Sequence, residues 1–401
     1  VFGTKVYLNS NDGSGILAFG EQSRCIITVS DDIQKMEAFL NKFNSEYVFM
    51  CLSYDLKNRF YPLVSNKPDG LSFPDAIFWV PEYVVKINRE EITFLKGNRN
   101  SESLDFLSAF LEEETDRNFH KYKIDFQPRI EFTAYIETVN QLKEHIQRGD
   151  IYEINFCQEF FADHCELDFP MDAFFKMNEV TQAPFAAYVQ FDEFSVFCGS
   201  PERFLKKEGN KLITQPIKGT APRGLDEKED ELIKEQLRNN PKERSENIMI
   251  VDLVRNDLSQ VASKASVKVD ELCGIYTFET VHQMISTVSC ELRENITFLD
   301  ILKATFPMGS MTGAPKKRAM ELIEEYESFK RGLYSGTIGY IAPNGDFDLN
   351  VVIRTLLYNS DKKYLSCSVG SAITIESEPE MEFKECQTKI EKIFKALHAQ
   401  Y

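Results

Sequence analysis

The sequence has no run of about 18 apolar residues, the length a helix needs to cross a bilayer, so no membrane segment is expected. Its nine cysteines, scattered from Cys25 to Cys386, form no C-x-x-C pair and are odd in number, which indicates neither a disulfide framework nor a zinc site. Reduced thiols and a cytoplasmic setting are the simplest expectation. The first residues, VFGTKVYLNSNDGSG, carry neither the basic nor the apolar region of a signal peptide. Basic charge is also scarce: 46 Lys and Arg stand against 63 Asp and Glu, a net charge of −17. That excludes the footprint of a general nucleic-acid binder, although one local cluster of cations can still serve an anionic small molecule. No G-x-G-x-x-G or Walker sequence occurs, and strands and helices do not alternate regularly, so a nucleotide-binding fold is not expected.

What is present is a chain of 401 residues, enough for one large domain or two ordinary ones. The N-terminal third is strand-rich, with CIITVS, YVFMCLSYD and AIFWVPEYVVKI. A charged passage from Glu112 to about Arg129 reads as a connection, dividing the chain into residues 1–125 and a catalytic region, 126–401. TAYIETVNQLKEHIQRGD has helical spacing and a natural stop at Gly149, and IYEINFCQEFFA follows as a strand. A meander of strands leads to two helices separated by the Asn240-Pro241 break, and a third helix, GAPKKRAMELIEEYE, follows a glycine-rich turn. GTIGYIA, LNVVIRTLLYN and YLSCSVGSAITI read as strands before a last helix from Pro379 to His398. Hairpin-joined strands with clustered helices predict an α+β fold built on antiparallel sheets.

Several stretches could carry chemistry. In TQPIKGTAPRG a single lysine, Lys218, sits among uncharged neighbours in a Pro/Gly-punctuated loop. It reads either as one half of a surface ion pair or, in a desolvated niche, as an amine able to act as a nucleophile. Glu202, in SPERF, follows a Ser-Pro turn sixteen residues earlier and could serve as a proton donor in the same pocket. Glu382, Glu385 and Lys389 share one helical face, as a solvated stripe or as carboxylates aimed at Mg²⁺. Glu246 stands near the start of its own helix, where a carboxylate also complements the dipole. His282 lies in an apolar setting that suits a core histidine, and Arg354 lies in VVIRTLL, where a buried charge needs a partner such as a substrate carboxylate. FPMGSMTGAPKKR, which contains Ser310, is a glycine-punctuated helix entry, a place where backbone amides can meet an anion.

Taken in order, GDIYEINFCQ, SPERF, PIKGTAPRG, ENIMIVDLVRNDL, FPMGSMTGAPKKRAMELI, RGLYSGTIGYI, IRTLL and ESEPEMEFKECQTK resemble the chorismate-utilising enzymes from about Thr133 to Leu397. LSYDLKN extends a weaker likeness into the N-terminal third. The resemblance implies a two-lobed α/β sandwich with antiparallel sheets flanked by helices, and chorismate as substrate. Lysine in P-I-K-G-T is the mark of the branch that aminates chorismate at C4, where most relatives have alanine. It implies that Lys218 attacks ring carbon C2 while the C4 hydroxyl leaves, that ammonia then enters at C4, and that Glu202 protonates the departing hydroxyl. Glu246 and Glu385 match magnesium ligands, with Glu382 beside them. Tyr334, Arg354 and Lys389 match positions that hold substrate carboxylates, and His282 and Ser310 match positions near the ring.

The same resemblance frames the alternatives. Isochorismate and salicylate synthases have a lysine base where this chain has Glu153, so hydration of C2 lacks its base. An anthranilate synthase component I is opposed by Lys218, and a non-catalytic chorismate-binding subunit is opposed by the intact Glu202, Lys218, Glu246, Glu382 and Glu385. Two departures stand out. Gly370-Ser371-Ala372 replaces a Gly-Gly-Gly or Gly-Ala-Gly run whose amides approach a substrate carboxylate, and Gln158-Glu159-Phe160 reverses a charge in a usual Gln-Arg-Phe. No cysteine has the G-x-C-x-G setting of a glutaminase nucleophile, so ammonia is expected from a separate glutamine amidotransferase subunit. A tryptophan-binding L-L-E-S segment is also absent from the sequence.

Overall fold

The computed structural model describes residues 2–89, 91–115 and 122–399. Its strands form two antiparallel sheets packed face to face. In the first, the order is Gly313–Ala314, Glu153–Ala162, Tyr364–Ile373, Thr355–Asn359, Phe194–Ser200, Phe185–Phe191, Lys5–Asn9, Ser14–Phe19, Tyr83–Asn88 and Ile92–Lys96. The second runs Ile217–Pro222, Val281–Glu291, Lys211–Gln215, Arg203–Glu208, Phe347–Asn350, Thr337–Ile341, Val48–Leu52, Ala76–Val80 and Ser23–Ile27. Alternating apolar residues meet between the sheets, such as Val6, Val189 and Val196 from one and Met50, Ile77 and Leu349 from the other. The outer face of the first sheet is covered by the helices Pro170–Thr181 and Pro379–Ala396, through Phe174, Ile390 and Phe394, and by Phe132–Arg148 through Tyr135 and Leu142. This is the expected antiparallel α+β sandwich.

The helix Phe132–Arg148 stops where the sequence says it should, with Gly149 at φ 83°. The division near residue 125 does not coincide with a division between the sheets. Lys5–Asn9 pairs with Phe185–Phe191, and Val48–Leu52 pairs with Thr337–Ile341, so the N-terminal strands complete both sheets. The charged connection falls partly on residues 116–121, outside the described residues. AIFWVPEYVVKI is two strands in different sheets, because Pro81 removes a donor and the chain crosses the sandwich there.

LNVVIRTLLYN also differs from the single strand expected. Phe347–Asn350 belongs to the second sheet and Thr355–Asn359 to the first, and Arg354 takes φ 50° in the crossing between them. A second crossing, Pro201-Glu202, joins Phe194–Ser200 to Arg203–Glu208. The two crossings are tied together, Val351 N donating to Glu202 O at 3.0 Å and Gly199 N to Arg354 O at 3.0 Å. Glu202 and Arg354 therefore stand side by side where the chain passes between sheets.

Candidate active site

Lys218 lies on Ile217–Pro222, which pairs with Val281–Glu291 in the second sheet. Ile217 pairs with Ile285 but Thr220 with Gln283, so one extra residue is inserted, and Gly219 takes φ 91° within the insertion. Such a bulge turns a side chain out of the regular alternation. Here the lysine reaches the first sheet, its Nζ 2.8 Å from Oε1 of Glu153. The Glu153 side chain is 1% exposed and that of Lys218 10%. Burial alone would favour a neutral amine, but Glu153 in contact, with Glu246 and Glu202 nearby, holds the ammonium above its ordinary value.

Glu202 is buried, and burial pushes its carboxyl up to about 7 against the opposing pull of the Ser310 hydroxyl, Lys218, the Ile217 N–H and Arg354. A carboxyl balanced near neutrality can both hold and release a proton at working pH. Ser310 reaches it from the turn Gly309–Met311, which Asn155 Nδ2 anchors through Ser310 O at 3.1 Å. The Arg354 guanidinium has no hydrogen bond or ion pair among the described residues. Burial pushes it down, and only the Glu202 charge opposes that. A half-buried guanidinium left free in this way is a receptor for an anion.

A second group of charges faces Lys218 from two helices. Asn240 caps Pro241–Ser259 by accepting from Lys242 N at 3.0 Å and Glu243 N at 3.3 Å, and Pro241 fixes the first turn, so Glu246 falls one turn inside. Lys242 Nζ stands 3.9 Å from Glu246 and 3.5 Å from Glu382 of the last helix. Burial raises the Glu246 carboxyl to about 7, and its buried Oε1 has no hydrogen-bond partner. Glu385 is drawn the other way. Burial opposes its charge, but Lys389 at 2.7 Å, then Lys242 and Lys218, hold it below the usual range. Lys389 also donates to Gly370 O at 2.9 Å.

Hard oxygen donors with an orphaned oxygen on Glu246 fit magnesium, which takes one or two carboxylates and fills its remaining positions with water and substrate oxygens. Glu246 and Glu382 suit that role, with Lys242 now between them. Among the described residues no three acidic, His or Cys side chains converge as a closed metal cage, and Glu385 stays with Lys389.

The other expected residues fall in different surroundings. Tyr334 is buried with its hydroxyl against the Cys157 thiol. The loop that carries it is fixed by Arg331, which donates to Met311 O at 2.7 Å, Asn155 O at 2.9 Å and Ser335 Oγ at 3.2 Å and pairs with buried Glu327 at 2.5 Å. One guanidinium thus joins the Glu153 strand, the Ser310 turn and the Tyr334 loop. His282 is not drawn into contact with Lys218 or Glu202. Fully buried, it places Nδ1 3.0 Å from Thr277 and Nε2 2.9 Å from Asp230, which also binds Arg223.

Both sequence departures are accommodated. Ser371 points to the outer side of its strand, where its hydroxyl meets Tyr135 at 3.1 Å, so it does not narrow the inner face. Gly370 does face inward, and a Cβ there would come within 2.4 Å of Asn155 Oδ1. Glu159 is buried but satisfied by Arg129 at 3.0 Å, Tyr364 at 2.9 Å and Ser366 at 2.7 Å, so the reversed charge has its own partners.

A profile described as chorismate binding enzyme matches residues 4–395. The chain belongs to that family. It is 33% identical over 390 residues to aminodeoxychorismate synthase component 1 of Escherichia coli, covering 94% of this chain and 85% of that one. It is 33% identical over 363 residues to the protein of that name in Bacillus subtilis (86% and 76%), and 32% over 358 residues to anthranilate synthase component 1 of Thermus thermophilus (86% and 76%). Among solved structures, anthranilate synthase component I from Streptococcus pneumoniae superimposes with a TM-score of 0.81 at 25% identity, covering 95% of this chain and 92% of that one. Membership makes this group of charges the candidate chorismate site of an enzyme. Lys242, Asn155 and Arg331 escaped the sequence reading. Only Lys242, four residues before Glu246 on a helix, left a usable signal.

Proposed function

We propose that this chain aminates chorismate at C4 to 4-amino-4-deoxychorismate, the precursor of p-aminobenzoate and folate. The observation that carries the reading is Lys218, turned by its bulge into the pocket that holds Glu202. The amine of Lys218 attacks C2, the ring π electrons shift toward C4, and the C4 hydroxyl leaves as water with a proton from Glu202. Ammonia then adds at C4 and the lysine is released from C2. Arg354, free of protein partners, receives a substrate carboxylate, and Tyr334 and Lys389 border the same anion. Glu246 and Glu382 would hold magnesium, with Glu385 paired to Lys389 on the same helix as Glu382, and the ion would supply charge to neutralise a second carboxylate. The component 1 names of the relatives support a separate partner, which we take to be a glutaminase supplying ammonia. Nine unpaired, buried thiols agree with a cytoplasmic setting.

The deciding experiment incubates the purified chain with chorismate, Mg²⁺ and ammonium and identifies the product by mass spectrometry. A product that has exchanged hydroxyl for amine and kept its enolpyruvyl group is expected. Anthranilate with free pyruvate would instead support the second reading, which the Thermus thermophilus relative favours. Glu246→Gln is expected to weaken Mg²⁺ binding about tenfold or more in calorimetric titration, since it removes a charged oxygen ligand. An unchanged isotherm would remove Glu246 from the metal site.

A further inference from the structure

Glu153 is used by nothing described so far, yet it is the carboxylate in contact with the reactive lysine. Its Oε1 lies 2.8 Å from Lys218 Nζ, its Oε2 is buried without any hydrogen-bond partner, and its side chain is 1% exposed. Its backbone is held as firmly. Glu153 pairs with Ala314, and a Cβ on Gly313 would stand 2.2 Å from Glu153 O. A carboxylate fixed in this way, half of it unsatisfied, is poised to accept a proton.

An ammonium has no lone pair, so Lys218 must lose a proton before it can attack carbon, and burial limits help from bulk water. The other charges facing it lie farther off or have other tasks. Glu202, from the crossing between sheets, must arrive protonated to release the hydroxyl. Glu246 and Glu243 approach from helix Pro241–Ser259 and Glu385 from the last helix, each in electrostatic reach but not in contact. Lys242 is occupied with Glu246 and Glu382. We propose that Glu153 is the general base that takes the proton from Lys218.

The inference rests on the nucleophilic role of Lys218 given above. The proton passes from Nζ to Oε1 as the nitrogen lone pair forms the bond to C2. The π electrons move toward C4, the C4–O bond breaks, and Glu202 gives its proton to the leaving hydroxyl, which departs as water. When ammonia adds at C4, the N–C2 bond breaks with its electrons returning to nitrogen, and the released amine recovers the proton from Glu153. Glu202 regains its own from the product ammonium or from solvent.

The test uses Glu153→Gln, which keeps size and removes basicity. Two rates are followed: amination of chorismate by ammonium from pH 6.5 to 9, and acetylation of Lys218 by acetic anhydride without chorismate, read by peptide mass. The variant is expected to aminate about 100-fold more slowly at neutral pH, with a rate that climbs about tenfold per pH unit. Lys218 is expected to acetylate faster than in the wild type, because no carboxylate now holds its ammonium. Glu153→Asp should recover part of the amination rate. If amination rises together with acetylation, Glu153 only restrains the lysine and the proposal is overturned. If both rates fall, Glu153 serves the packing of the strand and the proposal is overturned as well. Full amination by Lys218→Ala would remove the nucleophile itself, and a base for it, whereas an inactive Lys218→Ala with an unimpaired Glu153→Gln would sink the base alone.

Discussion

Lys218→Ala is expected to lower amination of chorismate by about 10³-fold or more, because the proposed reaction then lacks its nucleophile. The substitution also strands Glu153, whose charge would be left buried and unpaired, at a cost of about 3–5 kcal/mol. Lost activity in that variant could then be confused with a damaged fold. Lys218→Arg separates the two. A guanidinium keeps the ion pair with Glu153 but does not deprotonate, so it cannot supply a lone pair. Wild-type melting with activity as low as that of Lys218→Ala is the expected result. Substantial turnover by the arginine variant would show that the cation at 218 acts only through its charge.

Glu202→Gln is expected to abolish most activity and to stabilise the protein at alkaline pH. Loss of a positioned acid typically costs 10²–10⁴-fold in rate. The stability effect follows from linkage. The folded carboxyl titrates at about 7 against an ordinary value of 4.5, so the folded state binds its proton more tightly. Stability is highest below about 4.5 and declines as pH rises through about 7, by an amount of order 3 kcal/mol for this group. Glutamine has no such decline. Urea midpoints at pH 5 and 8 should therefore differ less in the variant than in the wild type, although Glu246, also near 7, leaves part of the slope in both. Equal pH dependence in the two proteins would mean that Glu202 is not held neutral by its burial.

Much of this site is legible in the sequence because its parts sit on strong local signals. Asn240-Pro241 fixes a helix start and hence the depth of Glu246, and Gly149 ends its helix as read. The Lys218-Gly219 step marks the bulge, since glycine readily adopts the positive φ found there. What periodicity cannot give is which sheet a strand joins. Arg354 reads as part of one strand because its neighbours in VVIRTLL are β-branched or apolar, yet the strand breaks and changes sheets there. The pairing of Glu153 with Lys218 is also hidden. The two residues lie on strands of different sheets, and no local pattern records a contact made across a sandwich. His282 has the surroundings that the ordinary reading of a histidine in an apolar strand gives it, buried and bonded to Thr277 and Asp230.

The exchange of strands between the two ends of the chain has a consequence for how the protein is made. Val48–Leu52 is an interior strand of the second sheet, with Ala76–Val80 on one side and Thr337–Ile341 on the other. Leu52 and Thr337 are partners about 285 residues apart. At roughly 5–20 residues per second, the first waits on the order of 15–60 s for the second to be synthesised. During that interval an apolar strand carries an open edge on a ribosome-bound chain, where self-association is the competing outcome. The pocket is completed later still. Arg354, Gly370 and Lys389 come after the missing strand, so the candidate site cannot close until that strand and its successors have emerged.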